Sequence, residues 1–233
     1  PHLHSTTYLS ALTHPHTPEA VLTMKLYTYD PAPNPARLKM FLDYKDIHIE
    51  TQQIDMAKLE QHSEAYLSVV PEATVPVLVL EDGTRITEVI AIANYLESLF
   101  PERPLLGVTA LEKAMVLNWT HRLFQLVFMA AAEAFRNSHP QFKDRALPGV
   151  KPVAQIAALA ERGQDRLRYG FEVLNDELAN RDWIAGSSFS FADIDLLALW
   201  VFAGWGARMQ PDESLAHLHA WHSRAQAALA APA

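Results

Sequence analysis

The chain contains no cysteine among its 233 residues. This absence excludes disulfide bonds and metal sites built on thiolates. It also excludes every mechanism in which a thiol of this chain attacks a substrate, including thioredoxin-type disulfide exchange.

Positive charge and long apolar runs are also scarce. The chain has 19 Lys and Arg against 27 Asp and Glu, for a formal net charge of −8. This balance argues against a surface that follows nucleic-acid phosphates. No apolar run reaches the roughly 18 residues expected of a membrane-spanning helix. We therefore expect neither nucleic acid nor a membrane as the main partner.

Residues 1–23 are rich in histidine, with His2, His4, His14 and His16 among the 11 in the chain. They include neither a continuous apolar core nor a charged leader, so a secretory signal is not expected. His-x-His pairs can ligate a metal, but we predict a flexible tail and no metal site. The folded part is predicted to begin at Met24.

The first half of the remaining chain alternates strand and helix patterns. Asn34 is predicted to be an N-cap, with Pro35 as the first helical residue. The predicted elements are a strand at 25–29, the helix after Asn34, a strand at 47–54, a polar helix at 58–69, a hairpin of strands 75–80 and 84–86, and a helix at 87–100. This βαβαββα order predicts a thioredoxin-like α/β domain with parallel early strands and an antiparallel hairpin.

Strand patterns stop after the turn-rich segment 101–104, and helical patterns follow. Ser190 and Asp193 form a predicted capping box before an almost wholly apolar helix. Long helices are predicted from Thr109 to about Asn137, from 152 to 178 and from 215 to 229. The predicted domains are 24–101 (thioredoxin-like), a linker at 102–108 and 109–233 (all-helical), giving an α/β plus all-α fold class.

Pro76 lies inside a run that otherwise reads as a strand, at a position where a backbone N–H is expected. An edge strand or a bulge explains this placement. Alternatively, the chain turns there, through a cis bond, to offer backbone groups to a ligand. The residues alone leave these interpretations open.

Three stretches together resemble the cytosolic glutathione S-transferases. They are TVPVLVLEDG-TRITE, AGSSFSFADID and PNPAR in the first loop, and the resemblance covers residues 24 to about 230. The chain looks most like an atypical branch from bacteria and fungi. The resemblance implies glutathione as co-substrate, a small hydrophobic electrophile, a homodimer, a cytoplasmic location and no metal.

The resemblance also implies glutathione-binding residues. In that family the proline matching Pro76 is cis, and the residue matching Val75 pairs through its backbone with the cysteinyl part of glutathione. Glu88 matches the residue that handles the γ-glutamyl end. Val89 stands where a hydroxyl is usual, so only its backbone N–H can serve.

The glycine carboxylate of glutathione needs a cation or an amide donor. Lys58, Gln61 and His62 lie where the family places one, although each could equally be solvated helix surface. Arg37 is a further anion partner by this resemblance. A surface or interdomain salt bridge is the alternative for Arg37.

The side chain that activates the glutathione thiol is missing from its usual place, because Pro33 matches the family's serine. The N-terminus of the first helix, with Asn34 as donor, is one candidate activator. Arg136 is another, beside Glu133, Asn137, Ser138 and His139. Tyr29 is the alternative of the tyrosine-type enzymes, although it also fits a core position.

The second substrate is expected between the two halves, against apolar faces. The candidate residues are Phe124, Phe128, Phe135 and Trp205, which also fit core positions. Two rival functions stay open: a non-catalytic protein that binds glutathione or apolar ligands, and a structural module without a peptide site.

Overall fold

The computed structural model describes residues 23–231. The predicted tail at 1–23 lies outside the described residues, apart from Thr23. Within the described part, no helix is both long enough and apolar enough to span a membrane.

Four strands form one mixed sheet with the order β2-β1-β3-β4. The strands are β1 (Met24–Thr28), β2 (Glu50–Gln53), β3 (Val77–Leu80) and β4 (Arg85–Ile86). β1 pairs parallel with β2, whereas β3 is antiparallel to both β1 and β4. The predicted parallel pair and hairpin are therefore confirmed.

Three of the strands are shorter than predicted, whereas β1 keeps the predicted length. β3 begins at Val77 rather than Val75, because Pro76 has no N–H to continue the ladder. β2 begins at Glu50 rather than at residue 47.

Three helices accompany the sheet: α1 (Pro33–Lys45), α2 (Glu64–Val69) and α3 (Val89–Leu99). The single helix predicted at 58–69 is wrong. Two 3₁₀ turns at 56–58 and 60–62 precede α2. Leu59 has a left-handed backbone with φ 61° and interrupts the helix. The Ser63 hydroxyl then caps α2 by accepting from the Tyr66 N–H.

The second half is mainly helical, with an isolated β-bridge between Arg145 and Val153 in one loop. Its α-helices are α4 (Ala110–Leu123), α5 (Met129–Ser138), α6 (Ala157–Glu177), α7 (Phe191–Trp205) and α8 (Ala216–Leu229). The predicted long helix is interrupted by a π turn at Phe124–Phe128, between α4 and α5. Helix α6 lies against this turn at Gly170, where a Cβ would stand 2.7 Å from the Leu126 carbonyl oxygen. Only glycine allows this approach.

Helix α7 forms the centre of the hydrophobic core. Its predicted capping box is confirmed: the Ser190 side chain accepts a hydrogen bond from the Asp193 N–H, and the Asp193 carboxylate accepts one from the Ser190 N–H. The Phe191 ring packs edge to face on Phe41 of α1, at 5.7 Å between centroids. The core is therefore continuous from α1 to the helical half.

Candidate functional site

The segments that carry the predicted binding residues meet at one end of the sheet. Tyr27 of β1 is opposite Val77 of β3, and beyond this pair Val75 and Tyr29 belong to one small hydrophobic cluster. Leu78 of β3 is opposite Ile86, the last residue of β4, and Glu88 follows two residues later.

The segment after β2 reaches the same end of the sheet. The Ile54 N–H donates to the Thr28 carbonyl at the end of β1, with an N···O distance of 2.7 Å. Helix α1 begins five residues after that strand. Ile54, and Met56 of the first 3₁₀ turn, share the hydrophobic cluster of Val75 and Tyr29, so these segments lie together.

The peptide bond between Val75 and Pro76 is cis, and both residues are buried. Within residues 23–231, the Val75 N–H and C=O have no hydrogen-bond partner. A buried strand-like residue with both backbone groups unpaired can bond an extended peptide as an added strand.

Glu88 is the N-cap of α3, since the helix begins at Val89 rather than at Thr87 as predicted. Its side chain is exposed and makes no capping hydrogen bond. The first-turn N–H groups of α3, including that of Val89, have no helical acceptor. A free carboxylate beside free N–H donors can bind both charges of an amino-acid end.

Lys58 and Gln61 have opposite surroundings. The Lys58 side chain is 84% exposed and its ammonium lies 3.0 Å from the Asp55 carboxylate. The hydrogen bond to Asp55 raises the pKa of Lys58. Gln61 is 5% exposed, and its Oε1 has no partner among the described residues. Of the two, only Lys58 matches the interpretation as solvated surface.

The first turn of α1 offers few backbone donors. Asn34 is not the N-cap as predicted; the cap is Ala32 and Pro33 is the first helical residue. Pro33 and Pro35 have no N–H, and the Ala36 N–H donates to the Ala32 carbonyl at 3.0 Å. Among the described residues, Asn34 therefore supplies the only free N–H of this turn.

Arg37 is buried and forms the interdomain salt bridge that the sequence left open as an alternative. Its Nε and Nη2 donate to the two carboxylate oxygens of Asp195 on α7, at 2.7 and 2.9 Å. Its Nη1 donates to Asn34 Oδ1 at 2.9 Å. Burial raises the pKa of the Asp195 carboxyl, and the charge of Arg37 opposes that rise. Arg37 as an anion partner of glutathione stays an untested prediction.

The structure ties Arg136 to the loop after α5, not to the end of the sheet. Its guanidinium donates to the carbonyls of Ala146 and Arg145, at 3.0 and 2.7 Å. It also lies over the Phe142 ring. Burial lowers the pKa of Arg136 to about 10. Asn137 also binds this loop, through the Ile156 N–H. These polar side chains hold a loop, and Arg136 as a thiol activator stays an untested prediction.

Tyr29 packs, partly buried, on a small core cluster with Tyr27 and Tyr66. This packing fits the interpretation of Tyr29 as a core aromatic. Its carbonyl accepts from the Ala32 N–H at 2.9 Å and shapes the turn into α1.

The predicted second-substrate residues form one aromatic cluster. Phe124 stacks on Phe128, with ring centroids 5.2 Å apart. Phe128 and Phe135 both contact Phe202 of α7, at 6.0 and 5.9 Å. Trp205, 48% exposed, contacts Phe135 at 5.2 Å. The cluster is therefore apolar, and one of its rings is open to a ligand.

Sequence reasoning missed Asp195 and Phe202. Asp195 is a charged residue in an apolar helix, and this was a signal that a buried partner must exist. Phe202 precedes Trp205 by three residues and so shares its face of α7. Among the described residues, no group of three or more His, Cys, Asp or Glu could hold a metal ion.

Comparisons with known proteins match both halves. The family described as "Glutathione S-transferase, N-terminal domain" matches residues 32–99, and "Glutathione S-transferase, C-terminal domain" matches 124–227. Glutathione S-transferase 2 of Saccharomyces cerevisiae is 32% identical over 88% of this chain and 87% of that protein.

A second relative is named as an oxidoreductase rather than as a transferase. The disulfide-bond oxidoreductase YfcG of Escherichia coli is 26% identical over 84% of this chain and 87% of that protein. Among solved structures, a glutathione S-transferase domain-containing protein of Marinobacter aquaeolei superposes with a TM-score of 0.79 at 28% identity, covering 87% of this chain and 97% of that one.

Proposed function

We propose that Asn34 activates the thiol of glutathione for attack on a small aromatic electrophile. This proposal rests on the family: the chain belongs to the glutathione S-transferase family and is a glutathione transferase. Glutathione is the co-substrate of this family. We propose both the activating group, Asn34, and the class of electrophile.

In the proposed complex, the backbone of Val75 pairs with the cysteinyl residue of glutathione. Glu88 and the Val89 N–H hold the γ-glutamyl end, and Gln61 or Lys58 holds the glycine carboxylate. The free Val75 backbone groups and the exposed Glu88 carboxylate support this arrangement.

One observation carries the assignment of Asn34: its N–H is the only free backbone donor of the first turn of α1, within the described residues. A free thiol has a pKa of about 8.5 and is only slightly ionised at pH 7. The thiolate is the nucleophile, so hydrogen bonds to sulfur and the positive end of the helix dipole would lower that pKa and raise the rate.

The aromatic cluster supports an aromatic electrophile, because offset and edge contacts with Phe128 and Trp205 favour flat rings. We also propose a homodimer acting in the cytoplasm, as the resemblance to the cytosolic family implies.

The test uses Asn34→Ala and Tyr29→Phe in a conjugation assay with 1-chloro-2,4-dinitrobenzene. The pH dependence of turnover at saturating glutathione reports the thiol pKa in the complex. Asn34→Ala removes the side-chain amide and keeps the backbone N–H, so it measures the share of the side chain. We expect it to raise this pKa and to lower the rate about tenfold, or about 1.4 kcal/mol. Tyr29→Phe should leave the thiol pKa unchanged.

The opposite pattern would assign the chemistry to Tyr29. Retention of the wild-type protein on a glutathione resin without turnover of any electrophile would favour the non-catalytic alternative.

A further inference from the structure

We propose that Arg37 is a positioning residue, which holds the side-chain amide of Asn34 so that its NH₂ group faces the glutathione sulfur. This inference rests on the proposed role of Asn34 as thiol activator. Arg37 itself touches neither the sulfur nor the electrophile in this proposal.

The first step of the argument is which end of the Asn34 amide faces Arg37. A guanidinium has N–H donors and no acceptor, so it can bond only the oxygen of the amide. Its Nη1 lies 2.9 Å from Asn34 Oδ1. The Asn34 NH₂ group therefore points away from Arg37, and within residues 23–231 it has no hydrogen-bond partner.

The direction of that amide matters for a thiolate. An NH₂ group donates to the sulfur anion and stabilises it, whereas an amide oxygen would repel it. An amide without a partner rotates between the two orientations. Arg37 removes the unfavourable orientation, and the amide then adds to the free N–H of the same residue.

The second step is what holds Arg37. Its Nε and Nη2 form a two-point contact with Asp195, at 2.7 and 2.9 Å, and both side chains are buried. Planar two-point pairing fixes the guanidinium and so fixes the direction of Nη1. A lysine has one ammonium on a flexible stem and cannot reproduce all three bonds in this geometry.

A simpler explanation is that this ion pair only joins the two halves. A buried ion pair within the sheet half lies at the other end of α1, where Lys45 bonds Glu97 of α3 at 2.7 Å with side chains 1% and 13% exposed. Lys45 also bonds the Glu102 carbonyl after α3, at 2.6 Å. It is eleven residues from Asn34, or about 16 Å along the helix. Lys45→Met is therefore a control for loosened packing.

The experiment measures the thiol pKa, from the pH dependence of turnover at saturating glutathione, in a double-mutant cycle of Arg37→Lys and Asn34→Ala. Arg37→Lys keeps the positive charge, so a shift in the thiol pKa reports lost orientation. We expect it to raise the pKa in the wild-type background, by no more than Asn34→Ala does. In the Asn34→Ala background it should add nothing. Lys45→Met should lower the melting temperature and leave the thiol pKa unchanged.

Three results would overturn the inference. The first is that Arg37→Lys alone leaves the thiol pKa unchanged. The second is that Arg37→Lys shifts the thiol pKa equally with and without Asn34→Ala. The third is that Lys45→Met shifts the thiol pKa as much as Arg37→Lys does. If Asn34→Ala itself leaves the thiol pKa unchanged, the Asn34 side chain does not activate the thiol and this inference fails with it, while the backbone N–H, which alanine keeps, is not tested by that result. If only Asn34→Ala shifts it, the inference alone fails.

If Arg37→Lys does not fold, a second variant, Asp195→Asn, takes its place. Asp195→Asn keeps the shape of the side chain and weakens its hold on Arg37, so the same cycle with Asn34→Ala applies. Thiolate absorbance near 240 nm in the bound state gives the pKa without turnover. A shift that disappears in the Asn34→Ala background supports the inference, and one that persists overturns it.

Discussion

Glu88 and Asp193 are both carboxylates at helix N-termini, yet their surroundings differ completely. Glu88 is exposed and makes no capping bond. Asp193 is fully buried and accepts from the N–H groups of Ile184 and Ser190 and from the Trp221 indole. The Glu88 carboxylate is therefore free to bind a ligand, whereas the Asp193 carboxylate is engaged in hydrogen bonds that stabilise the fold.

We expect Glu88→Ala to weaken glutathione binding about tenfold or more, because a hydrogen bond to a charged group contributes about 1.5–3 kcal/mol. Calorimetric titration measures the affinity. Glu81→Ala, an exposed glutamate in the β3–β4 turn, is the matched control and should bind like the wild type. Equal affinities for the Glu88 variant and the control would place the γ-glutamyl site elsewhere.

At the scale of elements, the start of α7 depends on one side chain. Burial raises the pKa of Asp193, while its hydrogen bonds to Ile184, Trp221 and Ser190 lower it. Its loss would leave several buried donors without an acceptor, in addition to the lost cap.

Asp193→Ala should therefore destabilise the protein by on the order of 3 kcal/mol, measured by urea unfolding. Asp212→Ala is the control, since Asp212 accepts from the Ser214 N–H in an exposed turn and should cost only a few tenths of a kcal/mol. At temperatures where the variant is folded, its affinity for glutathione should be unchanged. Similar losses in the two variants would contradict the assigned capping role.

The π turn is the other element with consequences for the site. Phe124 and Phe128 both lie in it, and the Gln125 carbonyl accepts from Arg166 of α6 at 3.1 Å. A π turn inserts a residue and so changes which side chains share a face of the helix. Phe128, the last residue of the π turn, and Phe135 on α5 are seven residues apart, so they share a helix face and both contact Phe202.

At the scale of the whole molecule, the two halves have separate tasks in the proposed reaction. The sheet and α1 provide the glutathione contacts, and the helical half provides the aromatic cluster. A change in the cluster should therefore alter use of the electrophile without altering the thiol.

Trp205→Ala should raise the KM for 1-chloro-2,4-dinitrobenzene about two- to tenfold, as expected for the loss of an aromatic contact of about 0.5–1.5 kcal/mol. Steady-state kinetics should show an unchanged KM for glutathione and an unchanged thiol pKa. Tyr169→Ala removes another exposed aromatic, on α6, and serves as the control. A Trp205 variant that matches this control would exclude the cluster as the electrophile pocket.

The sequence by itself determined the features that depend on a few neighbouring residues. Alternating and helical patterns predicted the sheet, the hairpin and the helical half, and Ser190 and Asp193 predicted the start of α7. The family stretches predicted the cis bond before Pro76, which is present. The sheet, the hairpin, the helical half and the start of α7 follow from backbone preferences within short segments, whereas the cis bond was predicted from the family resemblance.

The tertiary structure alone decided the partners of polar side chains. Arg37 and Asp195 are 158 positions apart, and no local pattern connects them. The sequence alone does not show that Arg136 bonds the Arg145 and Ala146 carbonyls of the loop after α5. The helix predicted at 58–69 failed because Leu59 adopts a left-handed backbone that its residue type disfavours. A side chain bonds whatever group the packed chain places within reach, and that placement depends on the whole fold.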